Sequence, residues 1–468
     1  MAVRQLMKKK SGAPSQGPVE NPSGDLVFEY PYTNQGVSGY QKAYATSPTA
    51  TDVQFYLDNT PISSNYSYRP NSPDLATDQS TYWVNDGINT GNVSNGTHTL
   101  KAVASYSDGT ITTRTRSIAV NNSVIALPAL PEANVISTSD LITESISYPV
   151  AKTGPSSYTN TSTNIRYYRQ IIKLAADTAY EDTIQVLIPE DVYNAGLAGS
   201  STPVLWFVHG AGSSHATLNA TGSGHIHHGR IALAHGCIAI SCDYGGTLYS
   251  HPTAQRTLRN AYKYLTSRFN ISKSFFRGTS HGGALSTLAV GRDLIPNIRG
   301  MMLGVGVYDI EERTGNSLGV GVWADPDDVS TSDRYAMQAA GRWNDFLTRS
   351  VYYAFDGDRN LAARHNPARL SRFNFVDKNI QLFADDNPTP SKSTYMNNLA
   401  NGQETKPGDT TVDFQLHGYM FRQNITQHGA PLPASFGFGS SDEGHTESNI
   451  PDFNYVYVQM LKNFVDTP

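Results

Sequence analysis

Ser280 stands in Gly278-Thr279-Ser280-His281-Gly282, with a glycine two residues away on either side. Glycine has no Cβ, so this spacing suits a chain that bends sharply between a strand and a helix and lifts the serine hydroxyl clear of its neighbours. A lifted hydroxyl can act as a nucleophile if a base takes its proton and hydrogen-bond donors receive the oxyanion formed on attack. Chance produces such five-residue patterns in a chain with 39 glycines, so the flanking segments have to carry the meaning.

Those segments have the right character. Ile271-Ser-Lys-Ser-Phe-Phe-Arg277 brings two adjacent aromatics up to the turn as a buried strand would, and Leu285, Leu288 and Ala289 follow at helical intervals. A helix starting just after Ser280 aims its unpaired N-H groups and the positive end of its dipole at whatever the serine attacks. Upstream, Val204-Leu-Trp-Phe-Val208 is a continuous apolar run of the kind found in a central parallel strand, and it ends in His209-Gly210-Ala211-Gly212. The amide of Ala211 or Gly212, with that of His281, is the expected oxyanion hole. His209 precedes the serine at a strand end and is expected to form structural hydrogen bonds.

The H-G-x-G and G-x-S-x-G-G elements resemble those of the α/β-hydrolase superfamily, in its esterase and prolyl-oligopeptidase-like branches, over roughly residues 165–465. The resemblance implies a mostly parallel sheet with a helical cap insertion, and an acid and a histidine that follow the serine in chain order, each on a loop after a strand. After the apolar Asn379-Ile-Gln-Leu-Phe-Ala384 comes Asp385-Asp386-Asn387-Pro388-Thr389-Pro390, where Asp386 matches the family's D-x-x-V-P with Thr389 in place of Val. Asp386 is therefore the expected acid and Asp385 the reserve. His445, in Ser441-Asp-Glu-Gly-His-Thr446 ahead of a final helix over 453–464, is the expected base. His417 directly ends an apolar stretch and is the reserve. A Ser-His-Asp set implies acyl transfer in two steps through an acyl-enzyme, with ester cleavage expected ahead of peptide cleavage and no cofactor required. A hydrolase fold that has lost its chemistry and kept a binding role is the alternative class.

Composition bounds what else the chain does. Its 468 residues exceed one ordinary core. A formal charge of -5 with 16% charged residues argues against nucleic-acid binding, since the longest basic block is Lys8-Lys9-Lys10. No apolar run follows those lysines to make a signal peptide, and none is long enough to span a bilayer. Cys237 and Cys242 flank one extended run that separates them by about 16 Å, beyond disulfide reach, so both are expected as buried thiols. The histidines His215, His225, His227, His228 and His235 invite a metal reading, but no acidic or cysteine partner recurs at ligand spacing, and no metal is expected.

Five regions are expected: an arm over 1–24, an all-β sandwich over 25–122, a linker over 123–139, and a catalytic domain over 140–468 with a cap insertion at 309–375. Alternating strands at Val53–Leu57 and 96–120, with a Ser107-Asp-Gly109 turn, mark the sandwich. It resembles the immunoglobulin-like modules of carbohydrate-active enzymes and phage tail proteins, and the role of Trp83 in its core is open. The resemblance implies an ester of a small molecule or an envelope polymer as substrate. It also implies assembly as a homo-oligomer or virion tail component through the arm and sandwich. Trp323, Trp343 and Tyr353 line a pocket or fill the cap's own core.

Overall fold

The computed structural model describes residues 19–22, 24–31, 33–38, 40–62, 65–68, 81–122, 133–174, 182–219, 224–246, 248–311, 326, 331–339, 343–344, 350–385, 421, 425, 433, 435–441 and 452–466. Two β-sheet layers come first. In chain order their strands are β1 (Val19–Glu20), β2 (Val27–Tyr30), β3 (Gln35–Val37), β4 (Tyr40–Ser47), β5 (Asp52–Leu57), β6 (Thr60–Pro61), β7 (Asn65–Tyr68), β8 (Thr81–Asn89), β9 (Gly96–Ser105) and β10 (Thr110–Val120). One sheet runs β1-β10-β9-β5-β6 with β3 also on β10, and the other runs β2-β4-β8-β7. The alternation read in the sequence sets the faces: Leu100, Ala102 and Ala104 point inward from β9 and meet Phe28, Ala45 and Trp83 from the other sheet. The β9-β10 hairpin turns at Gly109, with Thr110 N-H and its hydroxyl both donating to the Asp108 carboxylate. Order starts earlier than the expected residue 25, because β1 pairs with β10 in parallel.

A ten-stranded sheet follows. Its strands are β11 (Ala133–Thr138), β12 (Ile142–Gly154), β13 (Ser157–Leu174), β14 (Asp182–Pro189), β15 (Thr202–Val208), β16 (Ile238–Cys242), β17 (Ile271–Thr279), β18 (Ile298–Gly304), β19 (Asn379–Asp385) and β20 (Ser435–Ser441). They lie in the order β11-β13-β14-β16-β15-β17-β18-β19-β20, with β12 on β13. Pairing is antiparallel as far as β14 and β16 and parallel from there to β20. The expected linker is corrected at its end: Ala133–Thr138 pairs antiparallel with β13 as an edge strand of this sheet.

Helices cover both faces. α1 (Glu190–Ala195), α2 (Gly224–Ala234), α3 (Pro252–Thr266) and α4 (Gly282–Arg292) are the first four, and Phe453–Asp466 is the last. Leu258 and Ala261 of α3 and Leu288 of α4 pack with Trp206 and Phe276 on one face, while Ile231 of α2 and Tyr457 and Leu461 of the final helix pack with Phe207 and Phe275 on the other. Burial on both faces explains why β15 and β16 read as unbroken apolar runs rather than alternating ones. Both cysteines are buried and free, and burial pushes the Cys237 thiol up to about 12. Among the described residues, no helix is long and apolar enough to cross a membrane.

The stretch expected as a cap is described in part. Val351 and Phe355 pack with Tyr249, Val307 and Ile310. Leu370 and Phe375 instead press on the end of α4 at Gly291, and residues 368–374 meet the sandwich. The Arg334 guanidinium lies 4.9 Å over the Trp343 ring, and Tyr353 is half exposed beside Tyr352. Trp323 lies outside the described residues.

Candidate active site

Five of the six parallel strands, β15, β17, β18, β19 and β20, end along one edge of the sheet. Val208 is paired with Gly278, Thr279 with Gly304, Gly304 with Phe383, and Asp385 with Ser441. The carboxyl ends of these strands therefore share one edge, the usual place for ligands in open α/β sheets.

Ser280 sits between β17 and α4 with φ +52° and is buried. This left-handed conformation is costly for a residue with a Cβ, and it persists only where the surroundings over-determine it. They do so through both polar groups of the serine peptide: Ser280 N-H donates to Gly304 O at 3.2 Å, and Ser280 O accepts from Gly283 N-H at 2.9 Å and Val307 N-H at 2.8 Å. The glycines of the motif have a steric reason as well. A Cβ on Gly282 would stand 2.2 Å from Val208 O, so only glycine lets α4 start this close to β15.

On the oxyanion side, a Cβ on Gly210 would lie 3.1 Å from Ser280 Cβ and 3.6 Å from its Oγ, which puts the 209–212 backbone against the serine. Gly212 has φ +72°, and His281 begins α4. Ala211 follows the glycine that packs on Ser280, and His281 is the residue directly after that serine. The Ala211 N-H, however, donates to His281 Nδ1 at 3.0 Å, and the Tyr249 ring stands edge-on to that imidazole at 4.4 Å. This use of the His281 side chain was not visible in the sequence. Its ring fastens the 209–212 loop to the start of α4.

His209 is buried, with Nδ1 2.8 Å from Gly210 O and Nε2 3.3 Å from Asp243 O. Burial lowers its pKa, against the carbonyls that raise it, and its ring contacts are to backbone carbonyls, the structural bonding expected of it. A second pair, missed by sequence reading, stands nearby: His215 Nδ1 is 2.6 Å from Asp243 Oδ1, which also accepts the His215 N-H at 2.9 Å. Burial raises the Asp243 pKa, but the His215 contacts outweigh it and hold the carboxyl below its ordinary value. The only sequence signal was an aspartate directly after an apolar strand. Next to it, burial pushes Asp182 up to about 6; the Asp243 charge adds to the rise, and the Thr257 hydroxyl opposes it.

The histidine cluster has a different purpose from the one its spacing suggested. Arg277, three residues before Ser280, is fully buried and donates from Nε to His228 Nδ1 at 2.9 Å and from a terminal nitrogen to His225 Nε2 at 2.5 Å. The same nitrogen reaches Thr279 Oγ1, and the guanidinium lies 5.3 Å over the Phe453 ring. Burial, and then the Arg277 charge, hold both histidines well below their usual pKa, so they stay neutral and accept. Among the described residues, no group of three or more His, Cys, Asp or Glu is placed to hold a metal ion.

Asp386, His417 and His445 lie outside the described residues. Asp385 is the last residue of β19, so Asp386 is the first one beyond it. His445 falls between the end of β20 at Ser441 and the final helix. The strand Ser435–Ser441 was not foreseen: Ser435-Phe-Gly-Phe-Gly-Ser-Ser441 alternates aromatics with glycine and reads as a loop.

The antiparallel β14, the parallel run from β16 to β20 and the left-handed serine after β17 make an α/β-hydrolase-like fold. No protein-family model and no curated protein matches the chain. Among solved structures, it is similar to carboxyl esterase 2 of the mycorrhizal fungus Tuber melanosporum, at 14% identity over 64% of this chain and 85% of that one with a TM-score of 0.41. It is likewise similar to fluorophosphonate-binding serine hydrolase F of Staphylococcus aureus, at 14% identity over 70% of this chain and 100% of that one with a TM-score of 0.36, and to Est1E from Butyrivibrio proteoclasticus, at 14% identity over 63% and 96% with a TM-score of 0.35.

Proposed function

We propose that the protein is a serine hydrolase that cleaves carboxylic esters, with Ser280 as nucleophile, His445 as base and Asp386 as the acid that orients it. The observation that carries this reading is the left-handed Ser280, clamped through its own peptide at the strand-end edge with the 209–212 backbone against it. In the reaction, the histidine takes the Ser280 proton as Oγ bonds to the ester carbonyl carbon. The tetrahedral oxyanion is held by amides from Ala211, Gly212 and His281, and the alcohol leaves with the proton. Water then repeats the sequence on the acyl-enzyme and releases the acid. For Ala211 to contribute, its N-H turns from His281 Nδ1 to the oxyanion. Each such donor is worth about 2.7 to 4 kcal/mol in the transition state.

Chain geometry supports the choice of histidine. Three strand spacings of about 4.8 Å separate the ends of β17 and β20 by roughly 14 Å. His445 is the fourth residue past Ser441, and four extended residues span roughly 13 Å, so an imidazole there reaches the serine. Asp386 leaves from β19, between the two strands. The paired sheets packed around Trp83 support an immunoglobulin-like reading of the N-terminal module, and a place in a virion tail rests on the sequence resemblance alone.

A fluorophosphonate probe tests the nucleophile. One label per chain at Ser280 is expected, with Ser280→Ala unlabelled, folded and slower by roughly 10⁴- to 10⁶-fold. Failure of the folded wild type to label overturns the hydrolase reading. In a panel of acyl esters and aminoacyl amides, turnover of amides alone overturns the ester assignment. His445→Ala is expected to lose turnover and His417→Ala to keep it, and the reverse result makes His417 the base.

A further inference from the structure

The segment that holds Ser280 from the β18 side does not end at the site. Gly304 and Val307 contact the two polar groups of the serine peptide, and Val305 N-H donates to Phe383 O at the end of the strand that leads to Asp386. Gly306 packs against Gly283 so closely that a Cβ on Gly283 would be 2.6 Å from Gly306 Cα. Three residues on, the same segment enters a buried polar cluster. Asn366 Oδ1 accepts the Ile310 N-H at 3.2 Å, and Asn366 Nδ2 donates to Asp309 at 2.5 Å and to Glu311 at 2.8 Å. Arg369 Nε donates to Glu311 Oε2 at 2.9 Å.

Arg369 is where the cluster meets the other part of the protein. Its guanidinium lies 4.6 Å over the Tyr30 ring and 5.3 Å over the Tyr44 ring, both from the N-terminal sandwich. Tyr44 Oη donates to Ala368 O at 3.2 Å, Lys42 Nζ donates to the same carbonyl at 3.5 Å, and Gln41 bridges Leu370 through the backbone. A planar guanidinium satisfies a carboxylate along its edge while its faces rest on aromatic rings, so one side chain joins both partners at once. A tether between two independent domains has no need of this arrangement. Glu311 is buried and Arg369 is largely covered, so removing the guanidinium leaves the carboxylate uncompensated.

We infer that Arg369, held between Tyr30 and Tyr44, is a positioning residue for the nucleophile elbow, acting through Glu311, Asn366 and the 304–311 segment, so that the sandwich is a working part of the active site. The inference rests on the serine-hydrolase reading for its effect on turnover, but not for its effect on the elbow itself.

The test uses the full chain. Arg369→Met leaves the Glu311 carboxylate buried without its cation and puts folding at risk, so Arg369→Lys and the double variant Tyr30→Leu/Tyr44→Leu, which keeps every charge, accompany it. Two readouts are taken on protein shown to be folded at the assay temperature. The first is kcat and KM on a p-nitrophenyl ester, together with the rate of fluorophosphonate labelling. The second is hydrogen exchange at the amides of Ser280 and Val307, with those of 209–215 as the internal reference. Arg369→Met and the tyrosine pair should lower kcat and the labelling rate about tenfold with KM little changed. They should also speed exchange at Ser280 and Val307 at least tenfold without touching the reference loop, and Arg369→Lys should restore part of both. Unchanged exchange at Ser280 and Val307 in the folded variants overturns the inference, as does faster exchange spread evenly over the protein. If the wild type neither labels nor turns over while local exchange responds as described, the positioning role stands and the hydrolase reading is what fails.

Discussion

The two segments that grip Ser280 are fastened by different chemistry. On the β15 side, the 209–215 loop is held by imidazoles: His281 takes the Ala211 N-H, and His215 pairs with Asp243. On the β18 side, the 304–311 segment is held by backbone contacts to the serine peptide and by the Asn366, Glu311 and Arg369 cluster. The contrast follows from what each side does. Under the proposed function the loop offers amides that change partner when an oxyanion forms, and single imidazole contacts yield at little cost. The segment keeps a strained peptide in place, which calls for contacts that are numerous, buried and tied to a second domain.

Adjacent glycines in α4 touch the two sides separately, and this gives the sharpest way to break the comparison. A Cβ on Gly282 would meet Val208 O, whereas one on Gly283 would meet Gly306 Cα and the Val307 nitrogen. Both Gly282→Ala and Gly283→Ala should lower kcat about 100-fold, since a displacement near 1 Å at a reacting group costs roughly that much. Hydrogen exchange should tell them apart, with Gly282→Ala loosening the 209–215 amides and Gly283→Ala the Val307 amide. Equal loosening of both regions by either variant would dissolve the distinction.

The next effect belongs to the β15 side alone. Asp182 has its folded pKa pushed up to about 6 from an ordinary 3.8, so the folded protein binds the proton more tightly than the unfolded chain. Stability should fall as pH rises between those values, and the penalty is complete above them. Asp182→Asn should therefore gain up to about 3 kcal/mol at pH 7 in urea unfolding, with the gain vanishing below pH 4. A gain that persists at pH 3.5 would show that the charge is not its source.

Asp243 has the opposite sign. Its folded pKa is depressed by the His215 contacts, so its contribution is present above the unfolded value and is lost as pH falls through the folded one. Asp243→Asn should cost about 1 kcal/mol at pH 7 and nothing at low pH, while lowering kcat severalfold through the loosened loop. The smallest change expected is in Ser280→Gly. Relief of the left-handed strain is offset by glycine's greater unfolded-state freedom, so Tm should rise by no more than a few degrees, read by calorimetry. A fall in Tm would mean that the serine side chain itself supports the elbow.

Short-range rules made much of this legible in advance. The elbow at Ser280, the apolar β15 and β17, the strand before Asp385, the Asp-Gly hairpin and the helix after Ser280 follow from neighbours a few residues apart. Reading failed where the deciding partner was distant. β20 carries no apolar run, and its order comes from parallel pairing with β19, some fifty positions earlier in the chain. The edge strand at Ala133–Thr138 looked like a linker because its order comes from β13. The role of the α2 histidines was not readable, since nothing local shows that Arg277 points inward toward them from a strand some fifty positions away.

Amino-acid order alone thus pointed to a serine on a glycine-flanked turn, an apolar strand ending in His209-Gly210-Ala211-Gly212 before it, and acid and histidine candidates after it. Chain folding decided how that turn is held: which imidazole occupies the Ala211 amide, which aspartate anchors the loop, and that the arginine behind Glu311 rests on two tyrosines from the far end of the chain. The physical reason is one of range. Turn and strand preferences are written in steric and hydrogen-bonding choices between near neighbours, while burial of an ionic group and the partner that makes it tolerable exist only once distant segments have been brought together.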